Sequence, residues 1–248
     1  MTTSPETKRR VIVSGGTSGL GRATAEYLAA EGAGVWIFGS SPETVESTLS
    51  EIEVAGGSAA DAADEAAVAA AVAEASEALG GLDGAFVNAG IDGEDRNAMD
   101  LSAEHFKRVM DVNVVGAFVL AREVAKAIDP ARGGSLVINA SVNGERAEKG
   151  FADYNSSKAA AISLAKSLAL DLAERKVCVT AICPGYVKTR MTEAYLDDPK
   201  IAKELLEDIP VGRFGEPAEV ARLVAFLLDP DSAYMTGSVI SIAGGRNV

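Results

Sequence analysis

Six short stretches of the chain are apolar without alternation or rich in β-branched residues: 11–13, 35–38, 85–87, 136–139, 177–182 and 239–242. Runs of that kind belong to strands covered on both faces. Between them lie stretches of helical character: 22–30, 43–54, 64–79, 102–128, 154–174 and 217–228. The second begins behind Ser41-Pro42, a capping residue followed by proline at the first turn. The last carries apolar residues at 220, 223, 224, 227 and 228, the stripe of a helix that rests on a core. The alanine-rich stretch 56–78 predicts an amphipathic helix packed on a sheet. Strands alternating with helices predict an α/β fold, a Rossmann-type doubly wound parallel sheet of about seven strands with helices on both faces.

No Pro/Gly/Ser-rich linker divides the 248 residues, so a single domain over 1–248 is expected, with residues 1–8 a solvated lead-in. The chain carries 23 Lys and Arg against 36 Asp and Glu, a formal charge of −13. Such a surface repels phosphate backbones, which argues against nucleic acid and anionic membranes as partners. No apolar run approaches the roughly 20 residues of a membrane span, and no secretory signal pattern precedes the first strand. The two cysteines, Cys178 and Cys183, flank a predicted buried strand and read as core residues. A reducing compartment, and hence a cytoplasmic location, is expected. The single histidine, His105, rules out a His-rich metal site and reads as structural or exposed, and no metal is expected.

Candidate chemistry begins at the first strand-to-helix turn, Ser14-Gly15-Gly16-Thr17-Ser18-Gly19-Leu20-Gly21. Gly15, Gly19 and Gly21 form G-x3-G-x-G, where bare backbone lets N–H groups approach a pyrophosphate at a helix N-terminus. A second constellation lies in the fifth predicted helix. Tyr154 and Lys158 are four residues apart and share a helix face. An ammonium beside a phenol favours the phenolate, so Tyr154 is expected to exchange a proton with an alcohol or carbonyl oxygen. Ser141 ends a strand, where its hydroxyl can donate to an oxygen that gathers charge, or simply cap a turn.

Several further segments occur in a telling order: Asn88-Ala89-Gly90 after a strand, Asn113 in Asp-Val-Asn-Val-Val-Gly, Ser141 thirteen residues before Tyr154, Tyr154-x3-Lys158, Pro184-Gly185-Tyr-Val187-Lys-Thr189, 209–217 and Thr236-Gly237. With the glycine turn, this set resembles the short-chain dehydrogenase/reductase family over about residues 8–245. The resemblance implies a nicotinamide-dependent oxidoreductase interconverting a ketone and a secondary alcohol. It implies that Asn113, Ser141, Tyr154 and Lys158 are catalytic, with Asn113 holding a water on a proton relay to the lysine; a structural hydrogen bond to neighbouring backbone is the other reading of that asparagine. Lys158 would also grip the nicotinamide ribose, and Val187 and Thr189 the carboxamide, beside Pro184 and Gly185. Thr17, Ser18 and Leu20 belong to the cofactor turn. Asn88, Ala89 and Gly90 would line the floor of the cleft, and Asp61-Ala62, at the end of a third strand, would meet adenine. The family also implies a homo-oligomer, a tetramer or dimer.

In such folds an acidic residue at the end of the second strand binds the ribose 2′-hydroxyl and repels a 2′-phosphate. Here that place falls on Gly39, followed by Ser40-Ser41, so NADP(H) is expected over NAD(H). The arginines that NADP-dependent relatives often carry are replaced by Ser18 and Ser40. Residues 142–145, Phe151 and Tyr186 are expected to border a small-molecule substrate, and 190–210 to form a mobile lid over it. Ser14 and Ala243 depart from the family's usual threonine and aspartate. Related enzymes include 3-oxoacyl-carrier-protein reductases, whose acidic partner a charge of −13 disfavours. A dinucleotide sensor without turnover, or a dehydratase or epimerase on the same scaffold, are the alternatives. The intact Asn113/Ser141/Tyr154/Lys158 set weighs against the first, and the chain length against the second.

Overall fold

A computed structural model describes residues 8–247; the expected lead-in, apart from Lys8, lies outside them. Seven parallel strands form one sheet. They are β1 (Arg10–Ser14), β2 (Gly34–Gly39), β3 (Gly56–Ala59), β4 (Gly84–Val87), β5 (Gly134–Asn139), β6 (Val177–Pro184) and β7 (Val239–Ile242), in the order β3-β2-β1-β4-β5-β6-β7. The long helices are α1 (Gly19–Ala30), α2 (Pro42–Glu51), α3 (Glu65–Leu79), α4 (Ala103–Met110), α5 (Ala117–Ala127) and α6 (Ala152–Asp171). Two short helices, α7 (Glu193–Leu196) and α8 (Pro199–Glu207), precede α9 (Pro217–Leu227).

The unbroken apolar strands are explained by the two cores. Ile12, Trp36, Leu136 and Ile138 face a cluster closed by residues of α3, α5 and α6. Val11, Val13, Ile37, Val137 and Ile182 face a second cluster closed by α1 and α9. Successive residues of a strand point to opposite faces, so both sets must be apolar. Strand order reverses between β1 and β4, and the crevice outside their carboxyl ends is where such sheets bind ligands.

Two elements depart from the hydrophobic pattern. β3 reads Gly-Gly-Ser-Ala and lies within the alanine-rich stretch expected to be helical. Its glycines are needed because a Cβ at Gly56 would run into the Trp36 ring of β2. Trp36 Nε1 then donates to Ser58 Oγ at 2.8 Å, and Ser58 Oγ donates to Glu74 on α3 at 2.7 Å. The expected 102–128 helix is interrupted by a π-helical turn, Asp111–Gly116, between α4 and α5. Gly116 packs directly on the Ala62 carbonyl, with no room for a side chain, and the widened turn buries Asn113. π-Turns of this kind cluster at functional sites.

Gly84 on β4 faces the Ser135 carbonyl of β5 so closely that a Cβ cannot be seated without moving the strands apart. Overpacking of a close interior commonly costs about 1–3 kcal/mol. Gly84→Ala is expected to lower the thermal midpoint by several degrees, read by circular dichroism; an unchanged midpoint would contradict the close approach.

Candidate active site

At the carboxyl ends of β1, β4 and β5 the backbone runs out of sheet partners, and side chains take over. Ser14 Oγ accepts from the backbone N–H of Asn88 (2.8 Å) and Ala89 (3.0 Å). Asn88 Nδ2 donates to the Ser14 carbonyl at 3.0 Å, and Asn139 Nδ2 donates to Asn88 Oδ1 at 2.8 Å. The Ser14 hydroxyl therefore bridges β1 to the segment after β4. Gly15 lies at φ +62°, and a Cβ on Gly21 would strike the Gly15 carbonyl. The first glycine makes the turn and the last lets the helix pack against it. The amide groups at the start of α1 are thereby turned toward a cleft.

That cleft is two adjoining cavities of about 370 and 200 Å³ that share Gly15, Ser18, Ala89, Gly90, Ile91 and Arg190. Thr17, Ser40, Asp61 and Ala62 line the larger; Gly19, Leu20, Asn88, Pro184, Gly185, Val187 and Thr189 line the smaller, with Ser141, Tyr154 and Lys158 at its end. Of the residues predicted for this site, Gly21 and Asn113 do not line it. Gly21 is buried behind the turn and acts by packing. Asn113 Oδ1 accepts from Ile91 N at 2.8 Å, and Nδ2 donates to Ile91 O and to Ser157 Oγ, both at 3.0 Å. Both amide donors are used, and the side chain clamps the segment after β4.

Ser18 and Ser40 stand where relatives often carry arginines, and two arginines from other places border the same cavity. Arg108 on α4 and Arg190 both border the larger cavity. Arg108 pairs with Asp61 at 3.3 Å. Arg108 reaches the site from a helix distant in sequence, and no local pattern announces it; Arg190 directly follows Thr189, where its charge was legible. At the missing acidic position, a Cβ on Gly39 would meet Thr17 Cγ2 at 2.7 Å and Val45 Cγ2 at 2.8 Å.

Tyr154 and Lys158 share a face of α6, as their spacing requires. Lys158 Nζ donates to the Asn139 carbonyl at 2.9 Å and lies 5.4 Å from the centre of the Tyr154 ring. Burial lowers the lysine to about 8, against the pull of nearby Cys183 and Asp92. The ammonium does not depress the phenol as expected. Burial first, then the charges of Asp92 and Glu148, push Tyr154 above its ordinary value, while Ser141 opposes them. At neutral pH the phenol is therefore protonated, the form that donates to a carbonyl oxygen. Ser141 follows β5, is 8% exposed, and accepts from Asn143 N at 3.1 Å. His105 stands apart: its Nε2 is 3.2 Å from Asp153 Oδ2 and its Nδ1 3.5 Å from Glu94.

Beyond Ser141 and Tyr154 opens a third cavity of about 280 Å³, bordered by Asp92, Asn143, Glu148, Phe151, Tyr186 and residues of the 190–210 segment. Asn143, Phe151 and Tyr186 were expected there. Arg246 was not: it is buried, donates to Asn143, Glu148, Asp208 and Tyr186, and stacks 4.4 Å over the Tyr186 ring. A lone arginine near the C-terminal end of the sequence carries no spacing signal that predicts this.

The glycine cradle, too tight for a Cβ at Gly15 or Gly21, fits a dinucleotide's phosphates; the Tyr154 end of the cleft fits its reactive ring. A family model described as enoyl-(acyl carrier protein) reductase matches residues 15–247. Levodione reductase of Leifsonia aquatica is 35% identical over 261 residues, covering 99% of this chain and 98% of its own. The 3-oxoacyl-[acyl-carrier-protein] reductase of Aquifex aeolicus is 36% identical over 239 residues, covering 94% and 95%. The crystal structure of the Brucella melitensis 3-ketoacyl-(acyl-carrier-protein) reductase complexed with NADH superposes with a TM-score of 0.90 at 30% identity, covering 97% of this chain and 98% of that one. Motif order, sheet topology, cleft and relatives agree: the chain belongs to the short-chain dehydrogenase/reductase family.

Proposed function

We propose that the protein is an NAD(P)-dependent oxidoreductase that interconverts a ketone and a secondary alcohol on a small molecule. The observation that carries this reading is the meeting of two spaces at one phenol: Tyr154 borders both the dinucleotide cleft and the neighbouring cavity. A nicotinamide dinucleotide supplies or accepts the hydride when bound. Tyr154 donates its proton to the carbonyl oxygen in reduction and takes it back in oxidation. The Ser141 hydroxyl donates to the same oxygen as charge gathers on it. Lys158, fixed by the Asn139 carbonyl, has further N–H groups for the cofactor's ribose. Asn113 acts by fixing Ile91, and with it the wall beside Gly90. A dinucleotide sensor needs only the cradle; the buried phenol and lysine beside a second cavity favour an enzyme. Tyr154→Phe removes the proton but not the ring, and is expected to cut turnover by about 10²-fold or more, while reduced cofactor still binds by fluorescence titration. Turnover within twofold of wild type would remove Tyr154 from this role.

NADP(H) is the preferred cofactor in this reading. No carboxylate stands at Gly39, Ser40 is exposed, and Arg108 and Arg190 border the adenosine end. Arg108 and Arg190 against Asp61 leave one net positive charge at that end, complementary to a phosphate. Wild-type kcat/KM is expected to favour NADPH over NADH by tenfold or more. Ser40→Asp, at a position with space, is expected to reverse the preference; a wild type that prefers NADH would overturn it.

The 190–210 segment, with α7 and α8, is read as a lid that turns Met191, Tyr195, Ile201 and Leu205 to the substrate. No helix among the described residues is long and apolar enough to cross a membrane. Two free, buried cysteines suit a cytoplasmic location. Val115, Phe118 and Leu170 expose apolar side chains on the α4–α5 arm and α6, which supports a homo-oligomer, a tetramer or dimer, joined there. Light scattering is expected to give a mass of two or four chains, and Leu170→Glu to lower it. A wild-type monomer would contradict the assembly.

A further inference from the structure

The 280 Å³ cavity beside Tyr154 contains many polar groups, but most are already occupied. Glu148 accepts from Tyr186 Oη (2.8 Å), Asn143 Nδ2 (3.1 Å) and Arg246 (3.3 Å). Asn143 Oδ1 accepts from Arg246 at 3.2 Å, and Thr192 Oγ1 donates to backbone carbonyls. Asp95 and Lys149 are exposed at the rim. Asp92 differs from all of these. It is half-buried; its Oδ1 accepts only from the neighbouring Gly93 N at 2.9 Å, and its Oδ2 has no hydrogen-bond partner among the described residues.

The place of Asp92 is fixed from both sides. Ile91 before it is held by Asn113 through both backbone groups. Gly93 after it rests on α6, where a Cβ would lie 3.0 Å from Tyr154 Cβ. The carboxylate is thus held beside the phenol, near enough that its charge raises the phenol and steadies the lysine ammonium. Asp92 lines the same cavity as Tyr154 and Ser141, within reach of a molecule whose oxygen those two groups bond.

A carboxylate accepts hydrogen bonds and cannot donate them. A methyl group against it would leave a half-buried charge without its water, and an anionic substituent would be repelled. A donor is required. The charged side chains around the two cavities at the reacting end are Asp92, Asp95 and Glu148 against Lys149, Lys158, Arg190 and Arg246, a set with no negative excess to select a cation. Resting on the dehydrogenase reading above, we propose that Asp92 binds a hydroxyl on the carbon adjacent to the reacting one, so that vicinal diols and α-hydroxyketones are the preferred substrate class.

The test measures kcat/KM of the full-length protein for cyclohexanol, 1,2-cyclohexanediol and 1,4-cyclohexanediol, with NADP⁺ and with NAD⁺. Wild type is expected to favour the 1,2-diol over cyclohexanol by tenfold or more, and the 1,4-diol much less. In Asp92→Ala the 1,2-diol to cyclohexanol ratio is expected to fall to near one. Removing the carboxylate alters the phenol for all three substrates alike, so the ratio isolates the hydroxyl contact from any change in Tyr154. Asp92→Asn, which keeps the Gly93 bond and the shape, decides the matter if the alanine variant does not fold; its ratio is expected between the other two. A ratio that is the same in wild type and variant, on a protein that oxidises cyclohexanol, overturns the role of Asp92 and leaves the dehydrogenase reading standing. No turnover of these alcohols or their ketones with either cofactor overturns both.

Discussion

A parallel strand ends with backbone groups that its neighbours cannot satisfy, and this molecule builds its site from the side chains that satisfy them. Asn88 covers the Ser14 carbonyl, Ser14 covers the amides after β4, Asn139 covers Asn88, and Lys158 covers the Asn139 carbonyl. The chain of bonds runs from β1 through β4 and β5 to α6. Buried polar groups without such partners cost roughly 1–3 kcal/mol each, so the four residues hold one another in place. The glycine turn and the phenol–lysine pair are two ends of this one network, which fixes the distance between them.

A second, smaller network stiffens the substrate side. Arg246 joins Asn143, Glu148, Asp208 and Tyr186, so the wall opposite the nicotinamide end is built of paired charges rather than apolar packing. Ion pairs of this sort contribute little when exposed, but a buried guanidinium with four partners orients each of them. The two networks touch at Ser141, whose hydroxyl accepts from Asn143 and faces Tyr154. The phenol thus lies between the two, with Lys158 against its ring on one side and Ser141 on the other.

Much of this could be read from residue order. Continuous apolar strands require cover on both faces, which fixes the fold class. Glycine spacing after β1 and the four-residue step from Tyr154 to Lys158 mark the two ends of the cleft. What escaped was set by tertiary contact. β3 is a strand because Trp36 needs the space a glycine leaves, not because Gly-Gly-Ser-Ala favours extension. The π-turn at Asn113 follows from the close approach of Gly116 to Ala62. Lys158 was expected to act on the phenol through its charge; the Asn139 carbonyl holds it under the ring instead, and burial dominates the tyrosine. Arg108 and Arg246 come from separate parts of the sequence, and only folding brings them to the cavities.

The crowding around Gly39 bears on how this protein's descendants could exchange one nucleotide for another. Any side chain there must first displace the methyl groups of Thr17 and Val45, and Thr17 itself lines the larger cavity of the cleft. A lone carboxylate introduced at residue 39 would disturb packing before it could act on a ribose. Lineages drifting in that direction would need to shrink Thr17 or Val45 beforehand, or to begin from the roomier neighbour, so the order of mutations is constrained as well as their chemistry.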